Sequence, residues 1–497
     1  MSNRNFAQYL EKESSWTLTE NMANALGKTG SSMLDLFGVV GAMRSRPKDV
    51  VGLFEKAFAE DKLLATKLSF YARNVRGGLM ERDVPKEMWN WLAVNEPEIL
   101  MKNMEFIPEF GRWDDLYVLV GTPCEDSMWE FVNETFNRDI EAMRKGEKVT
   151  LLAKWLKSVN TSSAESRRLG RLTAKKLSLS QRDYRKTLAL LRKYIDVTEI
   201  KMSAGEWNEI NYEAVPSKAM ANNRKAFSRH DGDRFGEFIG AVQKGEAKIH
   251  SGTLYPYDIF EKMGLTYGYG WGESDGGMRF NSWDAVLEEQ WKALPNYVDD
   301  GENILVVADT SGSMSGRPMC TSVGLAVYFA ERNSGQFHNK FITFSSRPSF
   351  VTITGSTLAE KVKNVPSIVD NTNLQAVFEL VLDTAVRNSV PQEDMPRAIV
   401  IISDMEIDSA DNSRGQTFHS AMSDKFKNAG YELPNMVYWN VASRHDVFHA
   451  SADEHGVQLA SGQSPSVFKG IVKGIGMTPY DAMVEVLNDP QYDCIKI

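Results

Sequence analysis

Apolar residues follow two different rhythms along this chain. From about Leu34 to Phe260 they recur at spacings of three to five, as in Leu53-Phe54-Ala57-Phe58, Leu63-Leu64-Leu68 and Tyr184-Leu188-Leu191. That spacing predicts short amphipathic helices. Helix-breaking pairs separate them: Gly77-Gly78, Pro108 with Gly111, and Gly121 with Pro123. No exact repeat period emerges, but a succession of short helices packed as pairs fits the pattern. Ahead of them, residues 14–29 are polar and read as a loosely held arm. Behind them, Tyr267 to Gly277 is rich in glycine and reads as a linker. An amphipathic helix then carries Trp283, Val286, Leu287, Trp291 and Leu294, and Pro295 closes it.

From Asn303 the rhythm becomes alternating strands and helices. Ile304-Leu-Val-Val-Ala308 is continuously apolar, as expected of a strand buried on both faces. Further strands are predicted at residues 340–344, 397–402 and 435–440, and helices at 323–331 and 374–386. Thr478-Pro-Tyr-Asp-Ala482 has the cap and first-turn proline of a last helix. The reading is therefore multidomain: an arm (1–33), an all-α helical repeat (34–266), a linker with one helix (267–299), and a doubly wound parallel α/β domain (300–497).

Bulk properties narrow the class. A chain of 497 residues is expected to form two or three domains, and 42% hydrophobic with 25% charged residues is a soluble composition. No run of roughly 18 apolar residues offers a membrane span, and the polar start lacks the apolar core of a signal peptide. Cys124, Cys320 and Cys494 are too few and too scattered for a disulfide framework or thiolate zinc cage. A cytoplasmic location and no membrane partner are the expectations. The net charge of −9 excludes a protein basic all over, though not one with a local basic stripe.

Three short signals fall where a parallel sheet binds ligands, outside the carboxyl ends of its strands. Asp309-Thr-Ser-Gly-Ser313 follows the first strand, Asn371-Thr-Asn373 precedes a helix, and Ser403-Asp404 ends the strand at 397–402. Asp309 supplies charge, Ser311 and Ser313 follow at alternate positions, and Gly312 lets the loop fold. Thr372 adds a hydroxyl, and Asp404 acts directly or through water. A hard divalent cation wants such an all-oxygen shell, so the expected cofactor is Mg²⁺, or Mn²⁺ or Ca²⁺ in its place. The other reading of Asp309 and Ser311 is that they cap the next helix. Enzyme readings fit less well. A phosphatase would want a second acid where Ser311 stands, Gly312-Ser-Met-Ser-Gly316 has Met314 where a nucleophile elbow needs serine, and no P-loop lysine follows. A metal-dependent hydrolase lacks a general base near these motifs. His445, His449, Asp453 and His455 form a second group that reads either as zinc ligands or as ordinary loop histidines. The Asp-x-Ser-x-Ser, Thr and Asp elements resemble the metal-ion-dependent adhesion site of von Willebrand factor A domains.

The helical half carries a local basic excess. Arg167, Arg168, Arg171, Lys175, Lys176, Arg182, Arg185, Lys186, Arg192 and Lys193 fall between Ser166 and Lys193, where Asp183 is the one acid. Arg167, Arg171 and Lys175 share one helical face, with Arg168 and Lys176 beside it. Such a face either tracks a phosphate backbone or is simply solvated. Arg73, Arg76, Arg82 and Arg112 are expected to pair with Glu81, Asp114 or Asp115 inside the helical stack. Ser69-Phe-Tyr-Ala-Arg-Asn-Val-Arg-Gly-Gly-Leu-Met-Glu-Arg82, Ile107-Pro-Glu-Phe-Gly-Arg-Trp-Asp-Asp-Leu116 and Lys154-Trp-Leu156, with Tyr184-Arg-Lys186 and Leu190, resemble landmarks of the TROVE module of Ro ribonucleoproteins. Val215-Pro-Ser-Lys-Ala-Met220 and Ser228 to Phe235 look closer to a TROVE-like branch than to Ro itself. The resemblance implies a ring or arc of HEAT-like helical pairs followed by a von Willebrand A domain, and binding of small noncoding or misfolded RNA. The expected function is thus non-enzymatic RNA binding, with Arg167, Arg168, Arg171, Lys175, Lys176, Lys186 and Arg192 on phosphates. The alternative is an assembly factor gripping an acidic protein partner through the cation. On the RNA reading, neutralising Arg167, Arg168, Arg171, Lys175 and Lys176 together abolishes the gel shift of a structured RNA at moderate salt. An unchanged shift excludes it.

Overall fold

The computed structural model describes residues 15–269, 277–298, 303–344, 348–369, 372–408 and 416–497. They divide into two compact units. The first holds the chain up to Ala72, Gly77–Val84 and Leu254–Asp493, and the second holds Arg73–Arg76, Pro85–Thr253 and Cys494–Ile497.

The first unit is built on a six-stranded sheet. Its members are β3 (Ile304–Asp309), β4 (Lys340–Phe344), β5 (Ser349–Thr352), β6 (Ala398–Ser403), β7 (Asn435–Asn440) and β8 (Val457–Ser461), in the order β8-β7-β6-β3-β4-β5. Every neighbouring pair is parallel except β4 with β5. The expected α/β rhythm is therefore present, but the sheet is mixed rather than wholly parallel. β3 and β6 are buried along their whole length, as their unbroken apolar runs require. The short β5 and the strand β8 were absent from the sequence reading. β5 is an edge strand with alternating exposure, and Gln458 and Ser461 interrupt the apolar run of β8. The helix Arg317–Arg332 packs across β3, β4 and β6.

The segment read as a loose arm is instead fastened to this unit. β1 (Trp16–Leu18) pairs antiparallel with β2 (Asn24–Leu26). Leu26 exchanges both backbone hydrogen bonds with Phe448, each 2.8 Å. Its polar residues misled the reading because their hydrogen bonds go to backbone far away in sequence. The helix Ser32–Val39 likewise belongs with the sheet and packs against β8. Ser461 Oγ donates to Phe37 O (2.7 Å) and accepts from Gly41 N (3.0 Å). Arg44 ties the early helices to later segments. Its guanidinium meets Glu81 at 2.7 Å, donates to Tyr257 (2.7 Å), Tyr255 (3.2 Å) and Gln463, and lies over both tyrosine rings.

The second unit is helical, with long helices at Glu125–Lys145, Ala164–Lys176, Gln181–Tyr194, Ser217–His230 and Gly232–Gln243. The last two pack against each other, as do Ala164–Lys176 and Gln181–Tyr194. Tyr212, Phe227 and Phe235 form an aromatic cluster with ring centroids 4.9–5.5 Å apart. Two of the quoted sequence landmarks meet here. Arg73 Nε donates to Asp115 Oδ2 at 2.7 Å with both side chains buried, and a Cβ on Gly111 would stand 2.6 Å from that carboxylate. Arg112 pairs with Asp114 at 3.0 Å. These arginines hold the stack together, as expected.

Gly41 gives a direct test of the helix–sheet contact. A Cβ there would lie 2.6 Å from the Gly462 backbone. Gly41→Ala is expected to lower stability by about 1–3 kcal/mol in urea denaturation. Gly52→Ala, at an exposed helical position with open space around it, is expected to gain about 0.5–1 kcal/mol.

Candidate metal centre

β3 and β6 are paired neighbours, with Ile402 opposite Ala308. From β3 the chain runs outward to β4 and β5, then returns to β6 on the other side and continues to β7 and β8. The carboxyl ends of β3 and β6 therefore flank the point where strand order reverses, the usual ligand crevice of such sheets. Asp309 closes β3, and Ser403-Asp404 ends β6.

The loop after β3 folds as its residues dictate. Asp309 Oδ1 accepts from Ser311 N (2.8 Å), the short-range turn that aspartate favours. The Ser311 and Ser313 hydroxyls come together at 3.0 Å. Neither Asp309 nor Ser311 caps the helix Arg317–Arg332, which starts after Gly316. Tyr267 hydroxyl accepts from Gly316 N at 2.9 Å. Ser403 Oγ donates to the other oxygen of Asp309 at 2.6 Å and accepts from Met405 N at 3.0 Å. Asp404 Oδ1 accepts from Glu406 N at 3.2 Å.

Electrostatics mark the place. Burial, with the Asp404 charge beside it, pushes the Asp309 carboxyl up to about 7. Burial raises Asp404 as well, and the nearby Ser313 hydroxyl, the Glu406 N–H and the Arg444 charge hold it back. Asp404 is 2% exposed, and its Oδ2 has no hydrogen-bond partner. The nearest cation, Arg444 Nη2, stands 3.7 Å away and instead donates to Ser313 O at 2.5 Å. A buried carboxylate oxygen that accepts no hydrogen bond, beside a second buried carboxylate and only a distant guanidinium, is costly unless further positive charge joins them. The donor set of two carboxylates and several hydroxyls fits a hard divalent cation. Among the described residues no group of three or more His, Cys, Asp or Glu could hold a metal, so any ion here depends on the hydroxyls.

Asp309, Ser311, Ser313 and Asp404 are thus brought together. Thr372 joins through the loop after β6 rather than through Asp309. Its hydroxyl lies 3.2 Å from Glu406 O and 2.9 Å from Asp408 Oδ1, and Asn373 caps the helix Leu374–Asn388. Asn371 and residues 270–276 of the glycine-rich stretch lie outside the described residues. Glu406, Asp408, Arg444 and Asn21 were not anticipated. Acids at alternate positions in Asp404-Met-Glu-Ile-Asp408 were the available signal.

The histidine group does not converge. His449 is buried, hydrogen-bonded through Nε2 to Met405 O (3.0 Å) and stacked on Tyr438, while His445 lies 3.1 Å from Glu406 and His455 is exposed. The basic cluster splits in two. Arg192 is partly buried and gives its guanidinium to Ala153 O, Leu156 O and Ser158 Oγ at 2.7–2.9 Å. Lys176 pairs with Glu125 and Asp126, Arg168 with Glu165, and Arg167 binds the carbonyls of Thr161 and Ser162. Arg171, Lys175, Arg182, Arg185, Lys186 and Lys193 are exposed.

The Asp309 shift has a sign that can be checked. The folded chain holds this proton more tightly than the unfolded chain does. The stability this provides is full below the ordinary aspartate range and is lost as pH rises through about 7. In chelator, Asp309→Asn is expected to melt progressively higher than the wild type between pH 5 and about 8. Excess Mg²⁺ at the upper end should close the gap by raising the wild type alone. A gap that stays constant with pH rejects the electrostatic account.

Comparison with known proteins places the chain. A family described as a domain of unknown function (DUF7788) matches residues 303–489. The uncharacterized protein L728 of Acanthamoeba polyphaga mimivirus is 26% identical over 514 residues, covering 95% of this chain and 87% of its own length. A second family, described as a domain of unknown function (DUF2828), matches residues 19–150 and 144–302. These two matches together run through more than half of the sequence, and the chain belongs to the DUF2828 family.

Proposed function

We propose that this is a non-enzymatic binding protein whose α/β unit is a von Willebrand A-type domain. On this reading Asp309, Ser311, Ser313, Thr372 and Asp404 hold one Mg²⁺-class ion, and the ion takes a carboxylate from an acidic protein partner. The observation that carries the reading is the buried Asp404 Oδ2, left without a hydrogen bond beside Asp309 at the point where strand order reverses. The ion would supply positive charge there and an open coordination position. The protein residues would hold it, orient it and exclude water from the carboxylate side. Isothermal titration of the full chain with Mg²⁺ or Mn²⁺ is expected to give one site. Asp404→Asn should weaken it at least about tenfold, equivalent to about 1.4 kcal/mol. Wild-type affinity in Asp404→Asn, with the fold intact, removes the basis of the reading.

A second reading keeps the kinship with TROVE and Ro-type proteins, in which the helical unit is a HEAT-like repeat that binds structured RNA. What favours it is the exposed set Arg171, Lys175, Arg182, Arg185, Lys186 and Lys193 on two adjacent helices, 164–176 and 181–194. Phosphate contacts would come from these residues rather than from Arg192, whose guanidinium is committed to backbone carbonyls.

A further inference from the structure

The open side of the cation site carries a segment remote in sequence. The hairpin tip between β1 and β2, residues 19–23, lies on the loop after β6. Thr19 Oγ1 donates to Ile407 O at 2.7 Å, and Glu20 N donates to Glu406 Oε2 at 2.7 Å. Met22, with a left-handed φ of 67°, bridges to Asp408. Asn21 reaches furthest. Its Nδ2 donates both to Glu406 O (2.7 Å) and to the Thr372 hydroxyl (3.0 Å). Arg444 completes the arrangement. One end of its guanidinium is 3.5 Å from Glu20, and the other lies on Ser313 O and faces the orphaned oxygen of Asp404.

Of the candidate ligands, Thr372 is therefore engaged by the Asn21 amide and Asp404 faces the Arg444 guanidinium. A hydroxyl has one proton and two lone pairs. The Thr372 proton faces Glu406 O and Asp408, and Asn21 uses a lone pair, so an ion at Thr372 would sit against an amide N–H. An ion on Asp404 would likewise sit against a guanidinium. Like charges at that range repel, and a low local dielectric strengthens the effect.

We propose that the tip at residues 19–23, together with Arg444, is a built-in cap that competes with the cation for Thr372 and Asp404. This inference rests on the cation-site reading given above. Ion binding and release of the tip are then coupled, and the coupling is reciprocal: the ion loosens the tip, and the tip weakens the ion. The surface that the tip covers, the Glu406–Asp408 rim, is uncovered only when the site is loaded. The partner's carboxylate thus reaches the ion only once the tip has left.

The test titrates Mn²⁺ into the 497-residue chain as wild type, as the double variant Glu20→Gln/Asn21→Ala, and as Arg444→Gln. The cap predicts roughly 5- to 50-fold tighter Mn²⁺ binding in both variants, within the usual range of coupling between sites. Equal or weaker binding in the variants, with the wild type still binding, overturns the cap and leaves the cation site standing. No Mn²⁺ binding by any of the three overturns the cation site, and the cap with it. Hydrogen exchange on the wild type needs no variant to fold. Backbone amides of residues 16–26 should lose protection on adding Mn²⁺, and protection that holds or increases overturns the cap.

Discussion

Two carboxylates that cannot both be comfortable as anions set the terms for the α/β unit. Asp309 and Asp404 end adjacent, fully buried strands, so the backbone pairing of β3 and β6 forces them together. Their neighbours are arranged to relieve the repulsion. Ser403 and the Ser311 N–H each give one hydrogen bond to Asp309, and Arg444 forms a long ion pair with Asp404 at 3.7 Å. The relief is partial, since one oxygen of Asp404 accepts no hydrogen bond and meets Arg444 only at 3.7 Å.

Arginine plays a different part elsewhere. Arg44 in the first unit and Arg73 in the second are each satisfied by a buried carboxylate, Glu81 and Asp115 respectively. Glu81 takes two bonds from Arg44, whereas one oxygen of Asp115 is bonded by Arg73 and the other, without a hydrogen bond, faces Lys86 at 3.6 Å. These arginines are used up within the protein. Arg192 follows the same logic by closing carbonyls around the short helix Leu152–Trp155, which is why charge counting alone overstated the basic face.

Much of the α/β unit was legible because its signals are local. Continuous apolar runs gave β3, β4, β6 and β7 to within a residue, and a proline after Thr478 gave the last helix, Pro479–Leu487. The serines after Asp309 gave the loop. What escaped was set by distant contacts. The pairing of β1 with β2 and their fastening to Phe448 and Ile407 leave no periodicity in sixteen polar-rich residues. The placement of the helix Ser32–Val39 with the sheet also had no local cue, since an amphipathic helix looks the same whichever partner buries its face. Thr372 was read as a cation ligand with Asp309 and Asp404, and its tie to Glu406 depends on a turn that spacing does not reveal.

That turn is Met405, a non-glycine residue with a φ of 69°. Left-handed backbone at such a residue costs about 1 kcal/mol and persists only where surroundings enforce it. Here the buried His449 ring holds the Met405 carbonyl, and Ser403 holds its N–H. The peptide beneath Asp404 is consequently tied on both sides. On the proposed cation-site reading, a cleft tied in this way would sort divalent ions by radius, rewarding the small octahedral ones over larger, more accommodating ones.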